Sequence, residues 1–208
     1  MLSLDDGKLL VRTARAILES QLGGEVDVPS LPEHFKGKRG VFVTLHTHPD
    51  DELRGCIGFP LPILPLAEAV GEAAISAGTR DPRFPPVRLA EMDRIVVEVS
   101  ALTPPETIET KDPKDREKEV VIGRDGLIIK YGMFSGLLLP QVPVELGWDV
   151  NTFLEHTCLK AGLTADMWLE PRAQLQRFQA QVFSETSPRG EIVVKEGVTC
   201  GQEGRDDE

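Results

Sequence analysis

Apolar runs of strand length alternate along the chain with stretches of helical periodicity, and this alternation limits the fold more than any other feature. Residues 40–45 and 95–102 are rich in β-branched side chains and are bounded by turn residues, so each predicts a β-strand. Apolar residues recur at helical spacing over residues 5–21 and 66–77. No apolar run approaches the roughly 18 residues that a membrane span needs. The pattern predicts an α+β fold without a membrane partner.

The charge balance and the cysteines exclude further classes of protein. A formal net charge of −11 opposes binding to nucleic acid, which relies on clustered Lys and Arg. The three cysteines, Cys56, Cys158 and Cys200, lack metal-type spacing, so we expect neither a disulfide framework nor a cysteine metal site. Acidic residues follow Met1 where a signal peptide would be basic, so we expect a cytoplasmic protein.

A hairpin is predicted around the first of these strands. Residues 53–57 form a second short apolar run, and the polar, turn-rich residues 46–52 separate it from the first. The simplest arrangement is an antiparallel pair with a long loop. The segment Leu53-Arg54-Gly55-Cys56-Ile57-Gly58 is then the return strand.

The composition changes after Pro104-Pro105, where residues 111–119 become densely charged, and we place a lobe boundary there. Three short apolar runs beyond it, separated by glycine-containing turns, predict a three-stranded antiparallel sheet. These runs are residues 120–122, 127–131 and 136–139. Residues 177–184 alternate as a half-buried strand does, so we expect them to return to the first sheet.

The predicted larger lobe therefore comprises residues 1–104 and 171–196 and contains both ends of the folded chain. Residues 105–170 form an inserted smaller lobe, in which residues 150–161 predict a helix with Cys158 on its apolar side. Residues 197–208 are polar and acidic, a composition that seldom orders by itself. We expect a disordered tail there and assign no function to Cys200.

The triplet Arg54-Gly55-Cys56 is the first candidate site, because a cation and a thiol flank a residue that lets a ligand approach the backbone. Arg54 and Cys56 are two residues apart, so in an extended strand their side chains share a face. A nearby guanidinium favours the thiolate and can bind a carboxylate. Alternatively, Cys56 is a small apolar residue in a core strand.

Two further motifs supply candidate substrate-binding residues. Asp81-Pro82-Arg83-Phe84 offers an acid and a base beside a proline, although a turn explains it equally well. Gly123-Arg124-Asp125-Gly126 resembles a phosphate loop in composition but lacks the spacing of the known phosphate motifs, and a hairpin turn also accounts for it.

The segment His48-Pro49-Asp50-Asp51-Glu52 resembles the zinc motif of LmbE-type deacetylases, in which a His and an Asp bind the metal. Those enzymes take another ligand from a downstream H-x-x-H. Here the later histidine, His156, lacks that partner, and His46 is a weak substitute in the same loop. We therefore assign no metal and no cofactor.

Six segments taken in order resemble the AMMECR family, also called AmmeMemoRadiSam system protein A. They are Leu53-Arg54-Gly55-Cys56-Ile57-Gly58, Asp81-Pro82-Arg83-Phe84, Gly123-Arg124-Asp125-Gly126-Leu127, Leu138-Leu139-Pro140-Gln141-Val142, Trp148-Asp149 and Lys160-Ala161-Gly162-Leu163. The LRGCIG segment is the hallmark of that family. The resemblance extends from about the first helix to Phe183.

The resemblance implies two subdomains, a larger lobe with both termini and a smaller inserted lobe, separated by a cleft that the LRGCIG segment faces. It implies no established activity. Our first hypothesis is a substrate or partner site in this cleft, with catalytic candidates Cys56 and Arg54 and with substrate-binding candidates Gly55, Asp81, Arg83, Arg124 and Asp125. The second is a non-catalytic adaptor for the Memo-like and radical-SAM proteins with which the family is associated.

Overall fold

A computed structural model describes residues 1–195 of the 208 in the chain. The helices are α1 (Leu4–Gln21), α2 (Leu66–Thr79), α3 (Gln141–Glu145) and α4 (Val150–Lys160), and short 3₁₀ segments cover Glu33–Lys36, Leu89–Arg94, Pro113–Glu119 and Ala165–Leu169. The strands are β1 (Val41–Thr47), β2 (Leu53–Phe59), β3 (Ile95–Leu102), β4 (Glu106–Thr107), β5 (Gly126–Tyr131), β6 (Phe134–Leu138), β7 (Gln174–Phe178), β8 (Ala180–Glu185) and β9 (Ile192–Lys195). The predicted tail and Cys200 lie outside the described residues.

Helix α1 begins at Leu4, one residue before the predicted start. The Ser3 hydroxyl accepts a hydrogen bond from the Asp6 backbone N–H, and the Asp6 carboxylate accepts one from the Ser3 backbone N–H. This capping box satisfies donors that a helix start otherwise leaves without partners. The apolar side of α1 then packs with α2 against the first sheet.

The first sheet is antiparallel and has five strands in the order β2-β1-β3-β8-β9. Both helices pack on one face, where Val43, Leu45, Val97 and Val99 join α1 and α2 in the main core. Successive residues of a strand point to opposite faces. The face turned away from the helices, here called the far face, therefore carries Phe42, Thr44, Glu98, Leu102 and Ser184. Strand β2 is an edge strand of this sheet.

The second sheet has four strands, in the order β4-β7-β5-β6, rather than the predicted three. Residues 120–122 do not form a strand, because the hydrogen bonds of the following turn connect Val121 to Arg124 and Asp125 instead. Strand β7 pairs with β5 in place of residues 120–122. The single predicted strand over 177–184 is thus two strands, with β7 in the second sheet and β8 in the first.

The two sheets meet through a small apolar cluster and a hydrogen-bonded joint. The cluster combines Leu102 and Phe42 from the far face with Ile128 and Phe178 from the second sheet. At the joint, the Thr103 backbone N–H donates to the carbonyl oxygen of Gln179, and the Gln179 N–H donates back to the Thr103 hydroxyl. These contacts hold the chain where it passes between the two sheets. The exact lobe limits, 1–104 with 171–196 and 105–170, stay a prediction.

Among residues 1–195, none of the helices is both long enough and apolar enough to cross a membrane.

Candidate functional site

Cys56 lies on the edge strand β2, and its side chain belongs to the far face. Its partner across β1 is Thr44, whose hydroxyl donates a hydrogen bond to Cys56 Sγ at 3.4 Å. The pairing continues through Glu98 of β3 to Ser184 of β8, so a thiol, two hydroxyls and a carboxylate form one row across four strands. Thr44, Glu98 and Ser184 are buried, whereas Cys56 is only partly buried.

Asp81 and Arg83 close the open edge of β2 beside Cys56. The Cys56 backbone N–H donates to Asp81 Oδ2 at 2.8 Å, and Arg83 Nη2 donates to the Cys56 carbonyl oxygen at 3.3 Å. Arg83 also binds both oxygens of Asp81, with Nε at 3.0 Å and Nη2 at 2.8 Å. The ion pair takes the place of a neighbouring strand at an edge that would otherwise expose its backbone groups.

The Asp81 carboxylate is ionised across the physiological range. Burial by itself would raise its pKa, but the hydrogen bonds from Arg83 and from the Cys56 N–H outweigh burial and lower the pKa to about 2. Arg83 keeps nearly half of its side chain exposed. Asp81 is therefore fixed in the fold, whereas the Arg83 side chain is partly exposed.

Arg54 lies two residues before Cys56, but its guanidinium forms its hydrogen bonds with other residues. The register shifts between Leu45 and His46, so that Arg54 is the extra residue of a β-bulge. A bulge redirects the side chain that it carries. The guanidinium binds Glu91 Oε2 through Nε at 3.2 Å and Nη2 at 3.1 Å, and it donates to the Pro85 carbonyl oxygen at 2.9 Å. The guanidinium at the Cys56 backbone is that of Arg83.

Gly55 has a packing role that accounts for its lack of a side chain. A Cβ at this position would lie 2.2 Å from the carbonyl oxygen of Ala77 in α2. Gly58 is similarly close to the backbone of β1, where a Cβ would lie 2.3 Å from the Val41 carbonyl oxygen. The glycines of the LRGCIG segment thus permit the close approach of α2 and β1.

Arg124 and Asp125 form a second ion pair, which shares no hydrogen bond with the Cys56 group among the described residues. Arg124 donates to Asp125 through Nε at 2.9 Å and Nη2 at 2.7 Å, and the Val121 N–H donates to Asp125 at 2.9 Å. The Gln179 side chain also reaches Asp125, at 3.4 Å. Asp125 is completely buried, so this pair secures the turn before β5 to the joint between the sheets.

The other candidate positions show little sign of chemistry. Cys158 is fully buried in α4, as its place on the apolar side predicts, and burial raises the pKa of its thiol to about 11. His46 lies near the end of β1 rather than in the predicted loop, and its Nδ1 is 3.6 Å from Asp51 Oδ1 in the loop that follows. Across residues 1–195, however, no group of three His, Cys, Asp or Glu side chains is placed to hold a metal ion.

Sequence reasoning missed the residues that surround Cys56. Thr44, Glu98 and Ser184 lie in strands that it did predict, and the period of two assigns each of them to a face. The sequence did not give the register that aligns these three residues with Cys56 across four strands. It also missed Glu91, because the bulge that directs Arg54 towards Glu91 leaves no mark in the sequence.

The sequence matches the AMMECR1 family profile over residues 11–183. The chain belongs to the AMMECR1 family. Protein MJ0810 of Methanocaldococcus jannaschii is 60% identical over 196 residues, which cover 94% of this chain and 98% of that protein. Protein MK0488 of Methanopyrus kandleri is 53% identical and covers 92% of this chain and 94% of its own length.

A solved structure supports the same membership. The crystal structure of the uncharacterized protein PH0010 from Pyrococcus horikoshii is 52% identical, with a TM-score of 0.73, and the match covers 92% of this chain and 97% of that one. The similarity to LmbE-type deacetylases is limited to one loop.

Proposed function

We propose that this AMMECR1-family protein binds a ligand on the far face beside the second sheet, and that Cys56 supplies a reactive thiol there. The observation that carries the proposal is the setting of Cys56. Its side chain is only partly buried and receives a hydrogen bond from Thr44, while Asp81 and Arg83 fix its backbone. A binding group held by such surrounding bonds is preorganised for a ligand.

The proposed cleft lies between the far face and the second sheet. The apolar cluster of Phe42, Leu102, Ile128 and Phe178 would form its closed end, since both sheets contribute to it. The row from Cys56 to Ser184 is next to this cluster on the same face. In this proposal the larger lobe, residues 1–104 and 171–196, supplies the reactive group, and the smaller lobe, residues 105–170, limits the size of the ligand.

The candidate residues then have different roles. Arg83, with its exposed side, is placed to contact an anionic or carbonyl group of the ligand, and Asp81 positions it. Arg54 would attract an anionic group from the adjacent surface. The Arg124–Asp125 pair needs no contact with the ligand, because its bonds already account for it as a support of the fold.

Alkylation of the folded protein with iodoacetamide tests the thiol. In this reaction the Cys56 sulfur forms a bond to carbon, iodide leaves, and the thiol proton passes to solvent. Mass spectrometry of peptides then gives one rate for each cysteine. We expect Cys56 to react at least about tenfold faster than Cys158, because the thiolate is the reacting form and burial disfavours it at Cys158. Equal inertness of the two thiols would refute thiol chemistry.

A non-catalytic adaptor is the second candidate function. The observation that favours it is a set of exposed, large apolar side chains in the half of the molecule that contains the second sheet. They are Met133, Phe134, Val144, Leu146 and Leu159. Under this proposal the exposed side chains would bind a Memo-like or radical-SAM protein.

Co-purification with a purified Memo-like or radical-SAM protein tests the adaptor. The variants Phe134→Ser and Leu159→Ser should each weaken the complex, and Arg54→Ala should weaken it if the partner also reaches β2. Ile63→Ser removes an equally exposed apolar side chain from the other half of the molecule and is the matched control. Retention of an intact complex by all the variants would exclude this surface.

A further inference from the structure

A second concave site lies beside Arg54 and is distinct from the Cys56 row. Its volume is about 760 Å³, within the usual range for sites that bind small molecules. The lining residues are Arg54, Pro85, Pro86, Val87, Arg88, Ala90, Glu91 and Arg94. Neither Cys56, Asp81 nor Arg83 lines this cavity.

The charge of the cavity differs from that of the whole chain. Three guanidinium groups and one carboxylate give the lining a net charge of +2, although the net charge of the chain is −11. The carboxylate, Glu91, is already bound to Arg54. Across residues 1–195, the guanidinium groups of Arg88 and Arg94 take part in no ion pair. The cavity thus concentrates positive charge that the fold itself does not neutralise.

Arg54 is held in a fixed orientation at the wall of the cavity. Only 13% of its side chain is exposed, and three of its five N–H donors are engaged with Glu91 and the Pro85 carbonyl oxygen. Two N–H donors stay available in the part of the chain that the structure describes. A guanidinium immobilised in this way loses little further entropy when it binds an oxyanion, and the planar group suits carboxylate and phosphate.

The remaining wall is apolar and stiff. Pro85 and Pro86 have fixed backbone angles, and Val87 and Ala90 complete an apolar surface between the charged groups. A smaller neighbouring cavity of about 280 Å³ shares Arg54, Glu91 and Arg94 but adds the carboxylates of Asp50 and Glu52. Those acids repel an anion, so the larger cavity is the better place for one.

We propose that the larger cavity binds a small molecule that carries an oxyanion, either carboxylate or phosphate, next to an apolar group. Arg88 and Arg94 contact the oxyanion together with Arg54, and the apolar group lies against Pro85, Pro86 and Val87. This site goes beyond the proposed function, since it involves no thiol. If Cys56 is reactive but no anion binds, only the proposal for the cavity is refuted. If an anion binds but Cys56 is inert, only the proposal of a reactive thiol is refuted.

Isothermal titration with phenyl phosphate, benzoate and benzyl alcohol tests this site, because the first two differ in the oxyanion and the third has none. We expect phenyl phosphate or benzoate to bind, and the preferred one identifies the ligand class. Arg88→Gln and Arg94→Gln should each weaken binding about tenfold, as expected for a lost charge-assisted hydrogen bond. Both residues are exposed, so these variants should fold.

Arg80→Gln is the matched control. It removes the same charge from an exposed arginine that does not line the cavity, and binding should change by less than about twofold because solvent and salt screen an exposed charge. The proposal is refuted if neither anion binds below about 10 mM, the weak end of specific affinities. It is also refuted if benzyl alcohol binds as well as the anions do, or if Arg80→Gln weakens binding as much as the cavity variants.

Discussion

Two Arg–Asp pairs in this molecule have nearly the same geometry but occupy different settings. In each, one arginine donates to both carboxylate oxygens through Nε and Nη2, and backbone N–H groups donate to the same carboxylate. These N–H groups belong to Cys56 and Arg83 at Asp81, and to Val121 at Asp125, which also accepts from the Gln179 side chain. The first pair closes a sheet edge beside a partly exposed thiol, and the second secures a turn at the joint between the sheets.

The difference shows that an ion pair becomes a candidate site through what its partners expose. Arg124 is as exposed as Arg83, but Asp125 is completely buried, and its other hydrogen bonds hold a turn and the joint between the sheets rather than a reactive group. Asp81 is almost as buried, but its bonds fix the backbone of a residue whose side chain reaches the far face. Matched substitutions in the two Arg–Asp pairs, and at the glycines beside them, should separate these roles.

The largest expected effect is at the two glycines beside these pairs, Gly55 next to Cys56 and Gly126 next to Asp125. In Gly55→Ala the new Cβ would meet the Ala77 carbonyl oxygen, which α2 holds in place, whereas in Gly126→Ala it would meet the ring of Phe178. We expect a loss of about 3 kcal/mol for Gly55→Ala and a smaller loss for Gly126→Ala, because a ring can shift more easily than backbone. Urea denaturation measures both, and Gly37→Ala, which makes only an ordinary contact, is the control. Equal losses at Gly37 and Gly55 would contradict the close approach.

Removal of the buried carboxylates comes next. Asp125→Ala should reduce the free energy of unfolding by about 3 kcal/mol, since it removes charge-assisted hydrogen bonds from a fully buried site. Asp81→Ala should cost about 2 kcal/mol, because water can reach the freed Cys56 N–H at the edge of β2. Urea denaturation of both variants checks the order. A greater loss for Asp81→Ala would mean that its pair is the more structural of the two.

The pH dependence of the Asp81 contribution has a defined sign. The pKa of Asp81 is lowered from 3.8 to about 2 in the folded protein, chiefly through Arg83, despite its burial. The ionised form therefore contributes about 2 kcal/mol of stability above pH 3.8, and this contribution is lost as the pH falls towards 2. The difference in the free energy of unfolding between wild type and Asp81→Asn should shrink in that window. A constant difference would contradict the lowered pKa.

Local sequence signals predicted much of the fold because they depend on few neighbours. The helical spacing of α1 and α2 and the β-branched run of β3 appear in the structure close to the expected positions. The division between β7 and β8 was missed, since the alternation continues across Gln179 and the change of sheet depends on its bonds to Thr103.

The sequence proposed Cys56, Asp81 and Arg83 as candidates, but it did not predict how they are connected. Proximity in the chain suggested that Arg54 would act on Cys56, and the bulge instead directs Arg54 to Glu91. The partner that does contact the Cys56 backbone, Arg83, lies 27 residues away in the chain. Such a contact depends on how the segment after α2 folds back along β2, which no local pattern in one sequence encodes.

The most direct test of the central claim is the rate of Cys56 alkylation in wild type, Asp81→Asn and Asp125→Asn. Asp81→Asn removes a negative charge beside Cys56, so the thiolate is favoured and the rate should rise several-fold at neutral pH. The rate in Asp125→Asn should equal that of wild type. If both variants change the rate equally, or if neither does, the Asp81–Arg83 pair does not control a reactive thiol.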